Sequence, residues 1–197
     1  VADQLVEIVV DSWEIECCAP PPVVGERSSW RVLFVPSVDH RLATEHEWSV
    51  LAHDPEPRLS RDGITAAWGG GGDGRPEPGL RRLHGYLSGA AHVVPPDLAP
   101  LTGPVRRVRV LSEEFVPEDG RLVRVPGTFR TEEVDRSPRW FATPNPVPVT
   151  PEPARSEWVA HTPLRPADRS PEPRWAAVQP GAGRHETGIV IDLEVPG

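Results

Sequence analysis

A chain of 197 residues with 38% hydrophobic side chains, 26 prolines and 17 glycines can hold one core of ordinary size, but much of its backbone must be loop or extended, because proline lacks a backbone donor and is excluded from helix interiors. The net charge of −8 argues against a general affinity for nucleic acid or anionic lipid, since the field of the whole molecule repels phosphates. No apolar stretch approaches the roughly 20 residues of a membrane-spanning helix, and the first apolar run, Leu5 to Val10, is short and carries Glu7, unlike a secretory signal.

Residues 5–17 read as a strand. Val6, Ile8 and Val10 share one parity and Trp13, Ile15 and Cys17 the other, so a bulge or bend is expected at Asp11–Ser12, as where a strand curls into a small barrel. Ala19 to Gly25 is a connector, because three consecutive prolines cannot continue a central strand. Ser28 to Pro36 reads as a second strand, apolar on both faces and so covered on both sides. Val38 to His53 has the only helical spacing, with Asp39 as its N-cap, and Pro55 and Pro57 end it. Residues 54–79 contain Gly69 to Gly72 and Pro76-Glu-Pro78 and read as a linker or loop tip.

The β pattern returns at Leu80. Leu83 to Val94 is a strand interrupted by Gly85 and Gly89, and Gly103 to Phe115 is the clearest strand of the second half. Pro117-Glu-Asp-Gly120 is a turn signal, Arg121 to Val125 is the returning strand of a hairpin, and Phe129 to Val134 adds a short strand. Residues 136–186 have prolines every few positions and no apolar periodicity. A weak repeat there places Trp140, Trp158 and Trp175 in similar contexts. A long loop of biased composition is the plainer reading, but tryptophans are costly to leave in water, so some are expected to dock on the barrel or on a partner. Thr187 to Val195 alternates as a strand, and its expected partner is the N-terminal strand.

These elements describe a mainly β protein: a small antiparallel, barrel-like domain of the OB or SH3 kind, with at most one or two short helices. Its expected core is 1–36, 80–135 and 187–197. Two excursions interrupt it, a partly helical or disordered insertion at 37–79 and a proline- and tryptophan-rich extended insertion at 136–186.

Three features could carry chemistry. Cys17 and Cys18 are adjacent, and neighbouring strand residues face opposite ways. Cys17 is therefore expected inward, and a buried small thiol beside a turn is the plainest reading. A metal or reactive-thiol site at the pair is the alternative, although a structural zinc site wants spaced cysteines and further ligands, and a disulfide framework is not expected. Arg106, Arg107 and Arg109, with Arg81 and Arg82, form the one basic cluster. On a small barrel such a strip beside aromatics could hold single-stranded nucleic acid, yet cross-strand pairing with glutamates explains it equally well. Trp140, Trp158 and Trp175 are the third feature, as anchors for a partner. Phosphate-loop, Rossmann and hydrolase signatures are absent from the sequence.

Trp13-Glu-Ile-Glu-Cys-Cys-Ala-Pro, followed by Val24-Gly25 and Trp30, resembles the Trp-x-x-x-Cys-Cys-Gly-x-Pro-Phe, Val-Gly and Val-x-Trp pattern of a family of uncharacterised actinobacterial proteins. Gly103-Pro-Val-Arg-Arg-Val-Arg-Val110 is similar to a second run of that family. The resemblance covers about the first 35 residues and the 80–115 region. It implies domain identity and bacterial origin, and it transfers no catalytic residue. All the Lys+Arg total is arginine, which also suits a GC-rich bacterial genome. The expected function is a non-enzymatic binding or protein-interaction module in the cytoplasm. No cofactor or membrane is expected, and another protein is the expected partner. A single-strand nucleic-acid-binding barrel and a metal or thiol site remain as alternatives, and oligomeric state is open.

Overall fold

Alternating apolar and polar residues dominate the chain, and the backbone follows them. A computed structural model describes residues 3–52, 56–70, 74–90, 94–119, 121–144, 147–148, 178–179 and 181–197. In chain order its elements are β1 (Gln4–Asp11), α1 (Ser12–Cys17), β2 (Arg27–Trp30), β3 (Val32–Pro36), β4 (Thr44–Leu51), β5 (Arg58–Arg61), β6 (Ile64–Trp68) and β7 (Gly79–Gly89). There follow β8 (Leu101–Glu118), β9 (Arg121–Arg124), β10 (Arg130–Val134), β11 (Val147–Pro148), β12 (Val178–Gln179) and β13 (Gly183–Val195).

Five of these strands close a barrel in the order β7-β3-β6-β5-β4, with β4 returning to β7. The β3–β6 pairing is parallel and the other barrel pairings are antiparallel. Residues of one parity on each strand fill the interior: Val32 and Phe34, Trp48 and Val50, Ile64 and Ala66 are all buried. Phe34 centres this core. Its ring stacks on Trp68 at 5.9 Å and meets Trp48 edge-on at 5.4 Å, contacts worth about 0.5–1.5 kcal/mol each beyond area burial. Gly85 makes room for it, because a Cβ there would lie 2.3 Å from the Val35 carbonyl oxygen and 2.7 Å from the Phe34 ring.

The sheet leaves the barrel through a short parallel pairing, Val9 with Ser88 and Val10 with Gly89. It continues as β1-β13-β8-β10, with β2 and β9 also on β8. The expected pairing of the terminal strands is present, from Gln4 opposite Val195 to Asp11 opposite Gly188. β13 lies between β1 and β8 and is buried on both faces. Ile189, Ile191 and Leu193 join the main core, while Val190 packs with Val9 and Leu111 on the other side.

The mainly β, barrel-like fold is as expected, but its parts are distributed differently. The helix expected from Val38 to His53 is absent, and Thr44–Leu51 is β4. The strand turns Trp48 and Val50 inward, where both are buried, and Glu47 and Ser49 outward, an alternation that a helix does not provide. The segment 37–79, read as an insertion, supplies β4, β5 and β6 of the barrel. Asp62 and Gly63 link β5 to β6 with φ of +47° and +78°. That is the two-residue hairpin turn that an Asp-Gly pair favours. The second strand is broken at Arg31: β2 pairs with β8, whereas β3 enters the barrel. Most of 136–186, including Trp158 and Trp175, lies outside the described residues.

The strand expected over 5–17 also ends early. At Asp11 the chain turns from β1 into α1, one and a half turns long. Glu14 lies in its first turn, where the helix dipole favours a carboxylate, and the prolines from Pro20 exclude any continuation. Ile15 is fully buried against the core. Among the described residues no helix is long and apolar enough to cross a membrane.

Candidate functional site

The helical turn changes the chemistry of the vicinal cysteines. In a helix, positions i and i+4 share a face, so Trp13 and Cys17 both look outward. Trp13 is 46% exposed rather than packed in the barrel, and both cysteines are exposed. Cys17 and Cys18 form a disulfide with each other, which corrects the expectation of a buried free thiol. Two bonded sulfurs present no thiolate, and thiolate is the form that ligates metal or attacks. Among the described residues, no group of three or more His, Cys, Asp or Glu side chains is placed to hold a metal ion.

A strap from Asp135 to Ala142 runs beside this helix. Val24 N–H donates to the Asp135 carbonyl, and Ser137 N–H donates to that of Pro22. Arg139 Nη1 donates to the Ala19 carbonyl at 2.9 Å, and Phe141 N–H donates to Glu16 Oε1 at 3.0 Å. Phe141 is buried in the core. Trp140, between these anchors, points outward at 72% exposure, with the Arg139 guanidinium 6.0 Å from its ring centroid. Two segments tied together by hydrogen bonds thus carry exposed groups, Trp13 and the Cys17–Cys18 disulfide on α1 and Trp140 on the strap.

The arginine strip is engaged within the protein. Arg106 pairs with Glu194. Arg107 Nη2 lies 2.6 Å from Asp192, and Arg109 Nη2 lies 2.6 Å from Glu7 and 2.5 Å from Asp192. The β8–β13 register causes this by setting Arg107 opposite Asp192. Burial opposes the charge on Arg109, but Glu7 and Asp192 outweigh it and raise its pKa. Cross-strand pairing therefore accounts for the strip.

Two constellations were not singled out in the sequence. His40 stacks on Tyr86 at 4.1 Å and meets Phe129 edge-on at 5.9 Å. It thus covers the small core around Val9, Leu111 and Val190 and lines a groove of about 720 Å³ with Arg41, Glu113 and Arg124. Burial pushes its pKa down, with Glu113 and Asp11 opposing, and its Nδ1 accepts from Leu42 N–H. The folded state therefore favours neutral His40. Its contribution to stability is present above the unfolded pKa and is lost as the pH falls. Between about pH 7.5 and about pH 5.5, the wild type should lose more unfolding free energy than His40→Phe. Urea melts at the two pH values giving equal losses would refute this role.

The second constellation lies where the sheet departs from the barrel. Because β1 touches β7 only near Val9 and Val10, a cleft of about 350 Å³ opens between Leu5–Glu7 and the barrel wall. Thr44, His46, Trp48 and Arg61 form its polar end, and Val6, Leu42 and Leu87 belong to its apolar side. The Arg61 guanidinium lies 4.9 Å from the centroid of the Trp48 ring. Its charged partner is Asp62, 3.6 Å from Nε, which is an ion-pair contact beyond hydrogen-bond length. Trp48 Nε1, Arg61 Nε and Arg61 Nη1 are buried N–H groups with no hydrogen-bond acceptor. Burial lowers the pKa of Arg61, and burial followed by Arg61 lowers that of His46. His46 Nε2 is 2.9 Å from Thr44 Oγ1. Tryptophan and histidine two residues apart on a strand, followed by a strand-end arginine before an Asp-Gly turn, is the signal that could have indicated this site.

No curated protein and no solved structure matches the chain. A family of unknown function, DUF6578, matches residues 4–195, a span that takes in β1, the barrel and the last strand. By that match over nearly its whole length, the chain belongs to the DUF6578 family.

Proposed function

We propose that the protein is a non-enzymatic interaction module that docks another protein on the surface formed by α1 and the 135–142 strap. The exposure of Trp140 carries this reading. A 72% exposed tryptophan held between two anchored neighbours is pre-organised, and pre-organised aromatic side chains are the usual centres of binding energy at interfaces. Trp13 and the disulfide are exposed on the neighbouring α1, and Arg136 and Arg139 are exposed on the strap itself. The fitting partner has an apolar pocket rimmed by carboxylates. The arginine-only basic residues and the Trp13 to Trp30 motif support an actinobacterial origin, with the cytoplasm as the place of action. There an exposed disulfide is open to thiol exchange.

Affinity capture from a lysate of the encoding organism should retain a protein on the wild type that is lost from Trp13→Ser/Trp140→Ser. The purified pair should then bind directly, with the double variant weakened at least about 30-fold. Recovery of the same proteins by both forms, or purified proteins that do not bind, would overturn the reading.

A further inference from the structure

The cleft at the barrel mouth is independent of the tryptophan surface, and its chemistry is more specific. Buried polar groups are nearly always hydrogen-bonded, and an unmet buried donor carries the full penalty of its desolvation. Here three N–H donors on two adjacent side chains lack acceptors. Trp48 is 1% exposed and Arg61 retains 23% of its side-chain surface, so an acceptor in the cleft meets the guanidinium first and reaches the indole only with a small side-chain shift. An arginine directed inward from a barrel strand, with an apolar wall beside it, is built around an acceptor that the described residues do not provide.

The surrounding charges limit what that acceptor can be. Asp62 already lies beside the guanidinium. Glu7, on the far wall, is held by Arg109. A dianion on Arg61 would meet about twice the repulsion from these two carboxylates that a single negative charge meets, so a monoanion is the better fit. A planar head with two acceptor oxygens fits the guanidinium fork. The remaining volume is bounded by Val6, Leu42 and Leu87 and suits a short apolar body. The volume of about 350 Å³ lies at the small end of ligand sites, roughly 300–1,000 Å³.

We infer that this cleft is a binding site for a small monocarboxylic acid, its carboxylate on the Arg61 guanidinium beside the Trp48 indole, and its apolar part along β1 and β7. Leu5, 63% exposed at the entrance, leaves the apolar end open, so acids of differing chain length enter from solvent. Trp48 makes the site visible, because a ligand at its indole alters its fluorescence.

The test is titration of the intact protein with hexanoate and with benzoate, followed by calorimetry and tryptophan fluorescence. Hexanol and inorganic phosphate are the comparisons. Saturable binding of at least one acid is expected, with hexanol and phosphate each at least about tenfold weaker, the scale of losing a charge-assisted hydrogen bond. Arg61→Gln should weaken the acid at least about tenfold, and Arg61→Lys, which keeps charge but not the fork, should fall between. Thermal melts establish that each variant is folded. Should Arg61→Gln not fold, Arg61→Lys and Trp48→Phe carry the test, each expected to weaken the acid several-fold. No saturable binding of either acid, hexanol or phosphate binding as tightly, or folded variants that bind like wild type would each overturn the inference. None of these outcomes bears on Trp13 and Trp140, so failure here and failure of the docking surface are separable.

Discussion

Asp192→Ala should unfold about 3–5 kcal/mol more easily than the wild type, the range for breaking a buried ion pair by removing one partner. Asp192 retains 10% of its side-chain surface and joins two arginines, Arg107 and the 14% exposed Arg109. Removing the carboxylate leaves Arg109 with Glu7 alone, beside a Nε that already lacks an acceptor. Most of the loss therefore comes from an under-compensated buried cation. It follows that removing both charges should recover much of it: Asp192→Leu/Arg109→Met is expected to lie within about 2 kcal/mol of wild type. Urea denaturation of the three proteins measures this, and a double variant no better than Asp192→Ala would show that the apolar packing of β8 on β13 cannot replace the network.

Gly103→Ala should be comparably damaging for a steric reason. A Cβ at Gly103 would lie 1.7 Å from the carbonyl oxygen of Glu194, and that obstacle is backbone, with no rotamer by which to retreat. Gly103 pairs with Ser28 of β2 and lies two residues from Val105, the last β8 residue in register with β13, so relief must push β8 away from the Glu194 backbone of β13. Overpacking typically costs about 1–3 kcal/mol and occasionally more, and a rigid backbone obstacle places this substitution at about 3 kcal/mol or above. For a chain of this length, that corresponds to a melting temperature lower by roughly 6–12 °C. Gly127→Ala is the comparison, because its Cβ would meet nothing within 4 Å, although its φ of +79° makes it mildly strained. A Gly103→Ala melt equal to that of Gly127→Ala would contradict the close approach of β8 to β13.

The two substitutions also show how legible the chain was. The β8 strand and the turn after it follow from period-2 alternation and from turn residues, both local properties, whereas the pairing of β1 with β13 was expected because it brings the two ends of the chain together. The charge partners of Arg106, Arg107 and Arg109 were not legible. They depend on register against a strand more than 80 residues away, and a shift of one residue would have turned each arginine to the other face. For the cysteines, parity argued from a strand failed once Asp11 began a helix. The barrel was misplaced because Arg61-Asp62-Gly63-Ile64, a hairpin signal in itself, lay between stretches rich in proline and glycine and was read with them.

Composition and alternation by themselves determined that this chain is mainly β with a small barrel, because that outcome depends on which side chains must leave water and at what spacing. Only the tertiary structure decided that 37–79 builds the barrel, that Cys17 and Cys18 join, that the arginine strip is neutralised, and that Arg61 and Trp48 meet at a cleft. Each of these depends on where distant strands come into register, and register is an energy of the assembled sheet that no single segment carries.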